Sequence, residues 1–379
     1  MNALLRPVVL PPELIGRRAP CDLFNALGVL LVRADAVIAF SVRHPFRPTR
    51  VFCPAKLAAR ISDVNPIAQL GRIGQALAQI AERLAHSEHV SPGELAGLSH
   101  CVQDAWALDV DACLGYARLC KSGRPSICHV VHVSLLAAEL AGAHRLEGER
   151  IASVVGGALT MNVAKLGLHD EMHACAERPS PEKLAEIRTH PAEGLRLLRH
   201  IGKFDKPWLD VVASHHENVD GSGYPCALKG ADIALSARIV RVADSFAARL
   251  TGRRARAPLH WNIQRTRGTR NIVQHVFGNE QAQLDPPLMT QLVGALGRFP
   301  PGSLVRLNSG EVAVVARRVP GEPASPREVL CVKDAQGRAL AVPRRRRIGV
   351  GQSEIRTYAN DEAVRLASYD WQRVWGYGE

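Results

Sequence analysis

The stretch SHHENVDGSGYP places the adjacent histidines His215 and His216 before a carboxylate and a glycine-rich turn. Neutral imidazoles bind zinc, iron, manganese or nickel, so His215, His216 and Glu217 could hold a transition metal. The same stretch also fits a helix end followed by a turn, in which Gly221 and Gly223 supply unusual backbone angles and the histidines face water. Both interpretations stay open for this stretch alone.

Other polar residues lie where helices would turn them inward. His129 shares the spacing of an apolar stripe that continues to Leu140, which predicts that it faces a helical interior, whereas His132 lies off that stripe. Asp244 continues an apolar row within SARIVRVADSFAARL, so this carboxylate also points inward and needs a partner. His190 precedes a proline, which predicts a break between two helices. A lone inward histidine is usually a core residue, but this set together predicts convergence on a metal.

Apolar periodicity places these candidates in a mainly α chain with a small β module toward each end. Helical spacing dominates from about residue 66 to 297, and short apolar runs separated by turn residues predict strands on either side. The predicted organisation is a β-containing N-terminal module at 1–60, a helical connector at 61–115, a central helical domain at 116–300, a small β module at 301–350 and a C-terminal tail at 351–379, with one helix from about Asp361 to Val374.

Charge and cysteine content narrow the class of protein. The 379 residues carry a formal net charge of +12, with basic runs at 253–270 and 344–347. This charge would attract nucleic acid or a phosphodiester alike, but no zinc finger, aromatic-interleaved RNA motif or helix-turn-helix pattern accompanies it. The nine cysteines form no C-x-x-C pair and leave an odd count, which predicts reduced thiols. The apolar runs are shorter than a membrane span, so we expect a cytoplasmic protein.

The opening stretch and three further segments follow a known family pattern. The pattern HHExxDGxGYP is matched without a gap by His215, His216, Glu217, Asp220, Gly221, Gly223, Tyr224 and Pro225. HVVHVSLLAAEL contains His129, IRTHPAEG contains His190, and LKGADIALSARIVRVADSF contains Asp244. From about residue 116 to 300 the chain therefore resembles an HD-GYP domain, the bacterial cyclic di-GMP phosphodiesterase branch of the HD phosphohydrolase superfamily.

The resemblance implies a helical fold, a set of metal ligands and a ligand class. The implied ligands of a divalent transition metal, iron or manganese, are His129, His190, His215, His216 and Asp244. Lys165 is implied to contact phosphate. The implied ligand is cyclic di-GMP or a related cyclic dinucleotide. The glycine turn is implied to recognise it, or a signalling protein, through Glu217, Asp220, Gly221, Gly223, Tyr224 and Pro225.

The resemblance fails at the doublet that defines the family. Where relatives have a phrase like LLHDIGKIGIPD, this chain reads ALTMNVAKLGLHD, with Met161 and Asn162 in place of the histidine and aspartate. We interpret the later His169 and Asp170 as a surface pair, because Lys165 fixes the alignment. The resemblance implies that the missing aspartate bridges two metals, which a neutral amide cannot do as a carboxylate would. We therefore expect one bound metal or none rather than two.

Three functions stay open on the sequence. The first is a degenerate signalling protein that binds a ligand or partner, with hydrolysis weak or absent. The second is an active metal-dependent phosphodiesterase that recruits other ligands, and the third, ranked last, is a basic nucleic-acid-binding protein. The spacing of Asn162 after Val155 and Leu159 predicts that it lies on the inward stripe of its helix and points toward the site.

Overall fold

The chain separates into two units, one built around β-sheets and one built of helices. The β unit consists of Met1–Ala68, Ala107–Leu119 and Phe299–Glu379, and the helical unit consists of Gln69–Trp106 and Cys120–Arg298. The computed structural model describes residues 5–10, 14, 17–25, 28–38, 50–61, 64–119, 123–175, 180–251, 277–319, 322–349, 353–359 and 369–377. The predicted class, mainly α with a small sheet toward each end, is confirmed. The predicted domain boundaries stay predictions.

The elements are numbered in chain order. The described helices are α1 (Pro66–Ala85), α2 (Pro92–Leu108), α3 (Val110–Leu119), α4 (Pro125–Ala143), α5 (Glu149–Thr160), α6 (Leu166–Ala174), α7 (Pro181–Arg188), α8 (His190–Ile201), α9 (Lys206–Ser214), α10 (Leu235–Thr251) and α11 (Pro286–Leu296). The described strands are β1 (Leu5–Val9), β2 (Leu23–Phe24), β3 (Leu30–Val32), β4 (Arg50–Pro54), β5 (Leu304–Leu307), β6 (Val312–Val319), β7 (Glu322–Lys333), β8 (Ala339–Arg347) and β9 (Ile355–Tyr358). The predicted C-terminal helix falls mostly on residues 360–368, outside the described part, and Trp371–Trp375 is a short 3₁₀ helix.

Helix α4 is the centre of the helical unit because it is apolar on nearly every side. It packs against α5, α6, α10 and α11, and its residues Val133 and Leu140 have no exposed surface. His132 is buried as completely as His129, so the expectation that a single stripe of this helix faces inward is wrong. Two segments are long and apolar enough to cross a membrane, Pro125–Ala143 and Glu149–Ala174. Their apolar stretches are 78% and 83% buried inside the fold, as expected of core helices.

Helices α5 and α9 approach closely because two glycines face large side chains. A β-carbon placed on Gly156 would lie 2.2 Å from the Trp208 ring, and one placed on Gly157 would lie 2.6 Å from Val211. Trp208 Nε1 also donates a hydrogen bond of 2.8 Å to Thr160 Oγ1. This contact fixes the position of α9, whose C-terminal end leads directly into the paired histidines.

The β unit combines a four-stranded antiparallel sheet of order β1-β4-β2-β3 with a five-stranded one of order β8-β7-β6-β5-β9. The larger sheet packs against α3 and Trp375. Buried ion pairs join this region across more than 200 residues, because Arg317 binds Asp109 through two nitrogens and Arg318 Nε donates to Asp111 at 2.6 Å. Burial raises the pKa of Asp111, but the two guanidinium groups and their hydrogen bonds outweigh it and hold that pKa below its usual range.

We expect Gly156→Ala to destabilise the protein, although alanine is the better helix former, because the added methyl group would overlap the Trp208 ring. Overpacking of this kind costs about 1–3 kcal/mol. The matched control is Gly97→Ala, at an exposed position within α2 with nothing near its β-carbon, which should stabilise by about 0.5–1 kcal/mol. Urea unfolding followed by circular dichroism measures both, and equal effects of the two substitutions would contradict the close α5–α9 contact.

Candidate metal centre and the cavity beside it

Three histidines from two helix ends meet in the helical unit. His190 is the first residue of α8, at the helix break that its proline neighbour predicts, and His215 and His216 directly follow α9. One ring nitrogen from each of the three lies within 4.8 Å of the others. Within the described parts of the chain, this is the one group of three or more histidine, cysteine or acidic side chains with such spacing. The structure therefore brings His190 together with a pair of predicted ligands that begins 25 residues later in the sequence.

The hydrogen bonds of His190 and His215 determine which ring nitrogens face each other. His190 Nδ1 lies 2.6 Å from the carbonyl oxygen of Ile187, and His215 Nδ1 lies 3.2 Å from those of Val211 and Val212. A carbonyl oxygen only accepts, so each Nδ1 carries the proton and each neutral ring keeps a lone pair on Nε2. These two Nε2 atoms are 3.0 Å apart. Two lone pairs at this distance repel unless a cation lies between them.

The same distance matches neighbouring positions around a metal ion. Two nitrogens bound at about 2.1 Å and at right angles to each other are about 3.0 Å apart. Ligating histidines also typically donate their second ring N–H to a backbone carbonyl, as His190 and His215 do here. The orientation of both rings therefore fits a bound metal.

Burial keeps the three imidazoles neutral. It lowers the pKa of His215 to about 3, with the neighbouring His190 adding to the effect. Burial also lowers the pKa of His190, and burial together with His215 lowers that of His216 well below its ordinary value. Neutral imidazole is the form that binds metal, so the fold holds these rings ready without first releasing protons.

Asp244 supplies negative charge beside the imidazoles, and His129 is its hydrogen-bond partner. Both lie on inward helix faces as predicted, and His129 Nε2 is 2.8 Å from Asp244 Oδ1. Burial raises the pKa of Asp244, but the hydrogen bond from His129 and the electrostatic effect of its ring outweigh it, so the pKa lies well below its usual value. Asp244 is therefore ionised. Three neutral nitrogen donors next to one carboxylate fit a single divalent transition metal.

The two residues in place of the doublet lie in different environments. Helix α5 ends at Thr160, so Asn162 lies beyond the helix and begins a 3₁₀ turn, Val163–Lys165. The prediction that Asn162 lies on the inward stripe of its helix is therefore wrong, yet its side chain does line the cavity described below. Met161 is fully buried and is not part of that lining. Where the family pattern has an aspartate, this chain therefore presents the neutral amide of Asn162 to the cavity.

A cavity of about 200 Å³ opens beside the imidazoles. Most of the described residues that line it are polar and include candidate ligands, and the others are apolar. Asp244 is the one carboxylate among these lining residues. The lining residues are His129, Asn162, Lys165, Leu168, His169, Met172, Ile187, His190, His216, Tyr224, Asp244 and Ala248. Polar groups that converge with apolar side chains on one cavity are typical of a small-molecule site.

The glycine turn is held by its own polar residues. Glu217 is buried, and its carboxylate accepts hydrogen bonds from the backbone nitrogens of Cys226 at 2.6 Å and Leu228 at 3.0 Å. Asp220 accepts from the backbone nitrogen and the hydroxyl of Ser222 at 2.9 and 2.7 Å. These carboxylates therefore stabilise the turn, and recognition of a ligand or partner through them stays a prediction.

The second half of the glycine turn, from Gly221 to Pro225, packs against the backbone that carries His216. Gly221 has a φ of +82°, in the left-handed region that favours glycine. A β-carbon on Gly223 would lie 2.3 Å from the Asn218 backbone nitrogen and 2.6 Å from the His216 carbonyl oxygen. Tyr224 lines the cavity and stacks on His216 with a ring distance of 4.7 Å, whereas the following Pro225 is exposed.

Lys165 reaches the cavity from the 3₁₀ turn. Its ammonium nitrogen lies 3.4 Å from a carboxylate oxygen of Glu193 and 3.7 Å from one of Glu186. The pairing places a cation at the cavity wall while sharing its charge with two acidic residues. The structure thus shows that Lys165 lines the cavity, and its contact with phosphate stays a prediction.

The interpretation of His169 and Asp170 as a surface pair is wrong. His169 lines the cavity, and its ring stacks on His129 with centroids 5.1 Å apart and planes at 27°. Asp170 accepts a 2.7 Å hydrogen bond from the backbone nitrogen of Ser126 and binds Arg124 Nε at 3.0 Å, so it caps the start of α4. Helical spacing gave no signal for this position, because Lys165 precedes α6 with a non-helical φ of −139°.

Comparison with known proteins agrees with this arrangement. An HD domain family model, HD_5, matches residues 101–262. Cyclic di-GMP phosphodiesterase PA4108 of Pseudomonas aeruginosa is 24% identical over 70% of this chain and 60% of its own length. Cyclic di-GMP phosphodiesterase response regulator RpfG of Xanthomonas campestris is 28% identical over 62% of this chain and 59% of its own length. The chain contains an HD domain of the HD-GYP family. It spans about three fifths of the length of these two relatives.

The name of a further relative gives a different cyclic dinucleotide as its substrate. The 3'3'-cGAMP-specific phosphodiesterase 2 of Vibrio cholerae is 29% identical over 33% of this chain and 24% of its own length. The names of these relatives thus share cyclic dinucleotides as a class. In this chain, the HD-GYP domain keeps the histidines and aspartate of the family pattern but has Met161 and Asn162 at the doublet.

We expect the purified protein to bind one manganese or iron ion per chain. His215→Ala should reduce the bound metal to less than about a tenth, because it removes one of three converging nitrogen donors. His200→Ala, at an exposed position on α8, is the matched control and should leave the metal content unchanged. Elemental analysis after anaerobic purification measures this. Two tightly held ions per chain, or full metal content in His215→Ala, would contradict the single centre.

A substitution at Gly223 should weaken metal binding from a distance. In Gly223→Ala the methyl group would overlap the backbone from His216 to Asn218, so that backbone must shift and carry the His216 ring with it. We expect at least about tenfold weaker manganese binding in a titration. Gly294→Ala, on α11 with open space around it, should bind manganese as the wild type does. Unchanged affinity in Gly223→Ala would show that the turn does not position His216.

Proposed function

We propose that the HD-GYP domain binds a cyclic dinucleotide beside one divalent metal, as part of cyclic di-GMP signalling, and hydrolyses it weakly or not at all. The observation that carries this proposal is the neutral amide of Asn162 on the cavity wall, next to a retained set of imidazoles and Asp244. The shared ligand class of the relatives supports cyclic di-GMP as the first ligand to test. Iron and manganese are the proposed metals.

Each group at the cavity has a separate part in binding. His190, His215 and His216 would hold the metal as neutral donors, and Asp244 would offset part of its charge. When bound, the metal would polarise a phosphoryl oxygen. Lys165, which lines the same cavity, would contact the phosphate. The ring of Tyr224 and the apolar side chains of the lining would cover the nucleoside.

The electrostatics argue against a second metal. Two divalent ions about 3.8 Å apart repel by about 17 kcal/mol at an effective dielectric constant near 20, before ligands compensate. Asp244 is the one carboxylate among the described residues that line the cavity, because Glu186 and Glu193 pair with Lys165 behind that lining, and Asn162 contributes no negative charge. A two-metal clamp that activates water and stabilises both reacting oxygens therefore lacks its bridging charge. This is the basis for proposing weak or absent hydrolysis.

An active phosphodiesterase is the second candidate, because Lys165 and His169 both line the cavity and could complete a catalytic set with the retained ligands. Measured turnover separates the two candidates.

The basic run at 344–347 gives only weak support to nucleic-acid binding, because two of its arginines already form ion pairs within the fold. In β8, Arg345 pairs with Glu328 and Arg346 pairs with Glu311. The other run, at 253–270, lies outside the described residues.

We expect manganese-loaded wild-type protein to hydrolyse cyclic di-GMP about 10- to 100-fold more slowly than the double variant Met161→His with Asn162→Asp. The variant supplies a carboxylate at a position that faces the cavity. Without metal, the new carboxylate should cost about 1–3 kcal/mol of stability, and added manganese should restore it. Linear product measured by chromatography reports turnover.

The control for this comparison is Asn162→Ala, which removes the amide without supplying a carboxylate and should gain neither metal nor activity. Rapid turnover by the wild type would refute the proposal of weak hydrolysis. A folded double variant that gains no second metal would show that more of the site has changed than the doublet.

A further inference from the structure

His169 occupies a fixed place on the cavity wall. It lies on α6, four residues after Lys165, and both residues line the same cavity as the candidate ligands His190 and His216. Its ring stacks on that of His129 at a centroid distance of 5.1 Å. One short segment therefore places an ammonium group and an imidazole, both groups that can donate hydrogen bonds, in the lining shared with the candidate metal ligands.

A second set of contacts fixes the position of this segment. Asp170, the next residue, accepts a 2.7 Å hydrogen bond from the Ser126 backbone nitrogen and a 3.0 Å hydrogen bond from Arg124 Nε. Both contacts lie at the start of α4, the helix that carries His129. Asp170 thus joins α6 to the start of α4 by hydrogen bonds, and the preceding His169 stacks on His129 of α4. The His169 ring is held in place before any ligand arrives, which lowers the entropy cost of a contact.

The acidic residues near Lys165 give a reason for a second hydrogen-bond donor, His169, in the same cavity lining. Glu193 and Glu186 lie 3.4 and 3.7 Å from the Lys165 ammonium nitrogen and share its charge. A phosphate group at this wall therefore meets a cation that already has acidic neighbours, and further N–H donors strengthen its binding. The imidazole of His169 can donate such an N–H bond to a phosphate oxygen.

We propose that His169 is a phosphate-contacting residue of this cavity and acts together with Lys165. The ligand class is a phosphodiester or phosphate monoester bound at the metal-facing side of the cavity. The proposal rests on the proposed function, because it assigns a contact to the cyclic dinucleotide that the domain is proposed to bind. It concerns the binding of phosphate, and it holds whether or not the bound diester is cleaved.

The test measures the binding of two probes, inorganic phosphate and cyclic di-GMP, to the manganese-loaded full chain by calorimetry. We expect His169→Ala to weaken both by at least about tenfold, because a hydrogen bond to a charged group is lost. His169→Gln, whose amide can still donate, should bind within about threefold of the wild type. His173→Ala, one helical turn further along α6 and not part of the cavity lining, is the matched control and should match the wild type. Manganese content, measured in parallel, should be equal in all four proteins.

The two probes separate this proposal from the proposed function. Phosphate binding that depends on His169, without cyclic di-GMP binding, would support the contact and overturn the proposed ligand. Cyclic di-GMP binding that is unchanged in His169→Ala would overturn the contact and leave the proposed function standing. Absence of phosphate binding to the wild type would also overturn the proposal, because there would be no anion site. Loss of manganese from His169→Ala would overturn it as well, because His169 would then hold the metal centre in place.

Discussion

The site depends on one constraint, the 3.0 Å approach of His190 Nε2 to His215 Nε2. Each ring is turned into this position because its Nδ1–H donates to a backbone carbonyl at a helix end, and burial keeps both rings neutral. A cation bound between them would relieve the unfavourable contact of the two lone pairs. The close packing of α5 on α9 through Gly156 maintains this position, because α9 leads directly to His215.

The charge around this centre decides what the domain can do. One ionised carboxylate, Asp244, lies beside the imidazoles, and the amide of Asn162 faces the same cavity. This balance suits one divalent ion together with an anionic ligand, whereas a second ion would need further negative charge. Lys165 and His169, which line the same cavity, would supply hydrogen-bond donors for that anion. The retained candidate ligands and the missing carboxylate support the proposal that the site mainly binds its ligand.

Local patterns predicted the residues that lie inside regular helices or in a distinctive motif. His129 and Asp244 face inward as their spacing indicates, and the break at His190 follows from its proline neighbour. Positions next to irregular segments were harder to predict, because helical spacing has no meaning across them. His169 follows a 3₁₀ turn, so its side could not be assigned from α5. The contact of Asp109 with Arg317 joins residues 208 positions apart, a separation about which local periodicity carries no information.

The most direct test of the single metal centre is the anomalous scattering of manganese in crystals grown with that metal. We expect one strong peak per chain, within bonding distance of His190, His215 and His216, with the side chain of Asn162 uncoordinated. Two peaks about 3.8 Å apart, both close to Asp244, would contradict it, because the site would then hold a binuclear centre without the bridging carboxylate.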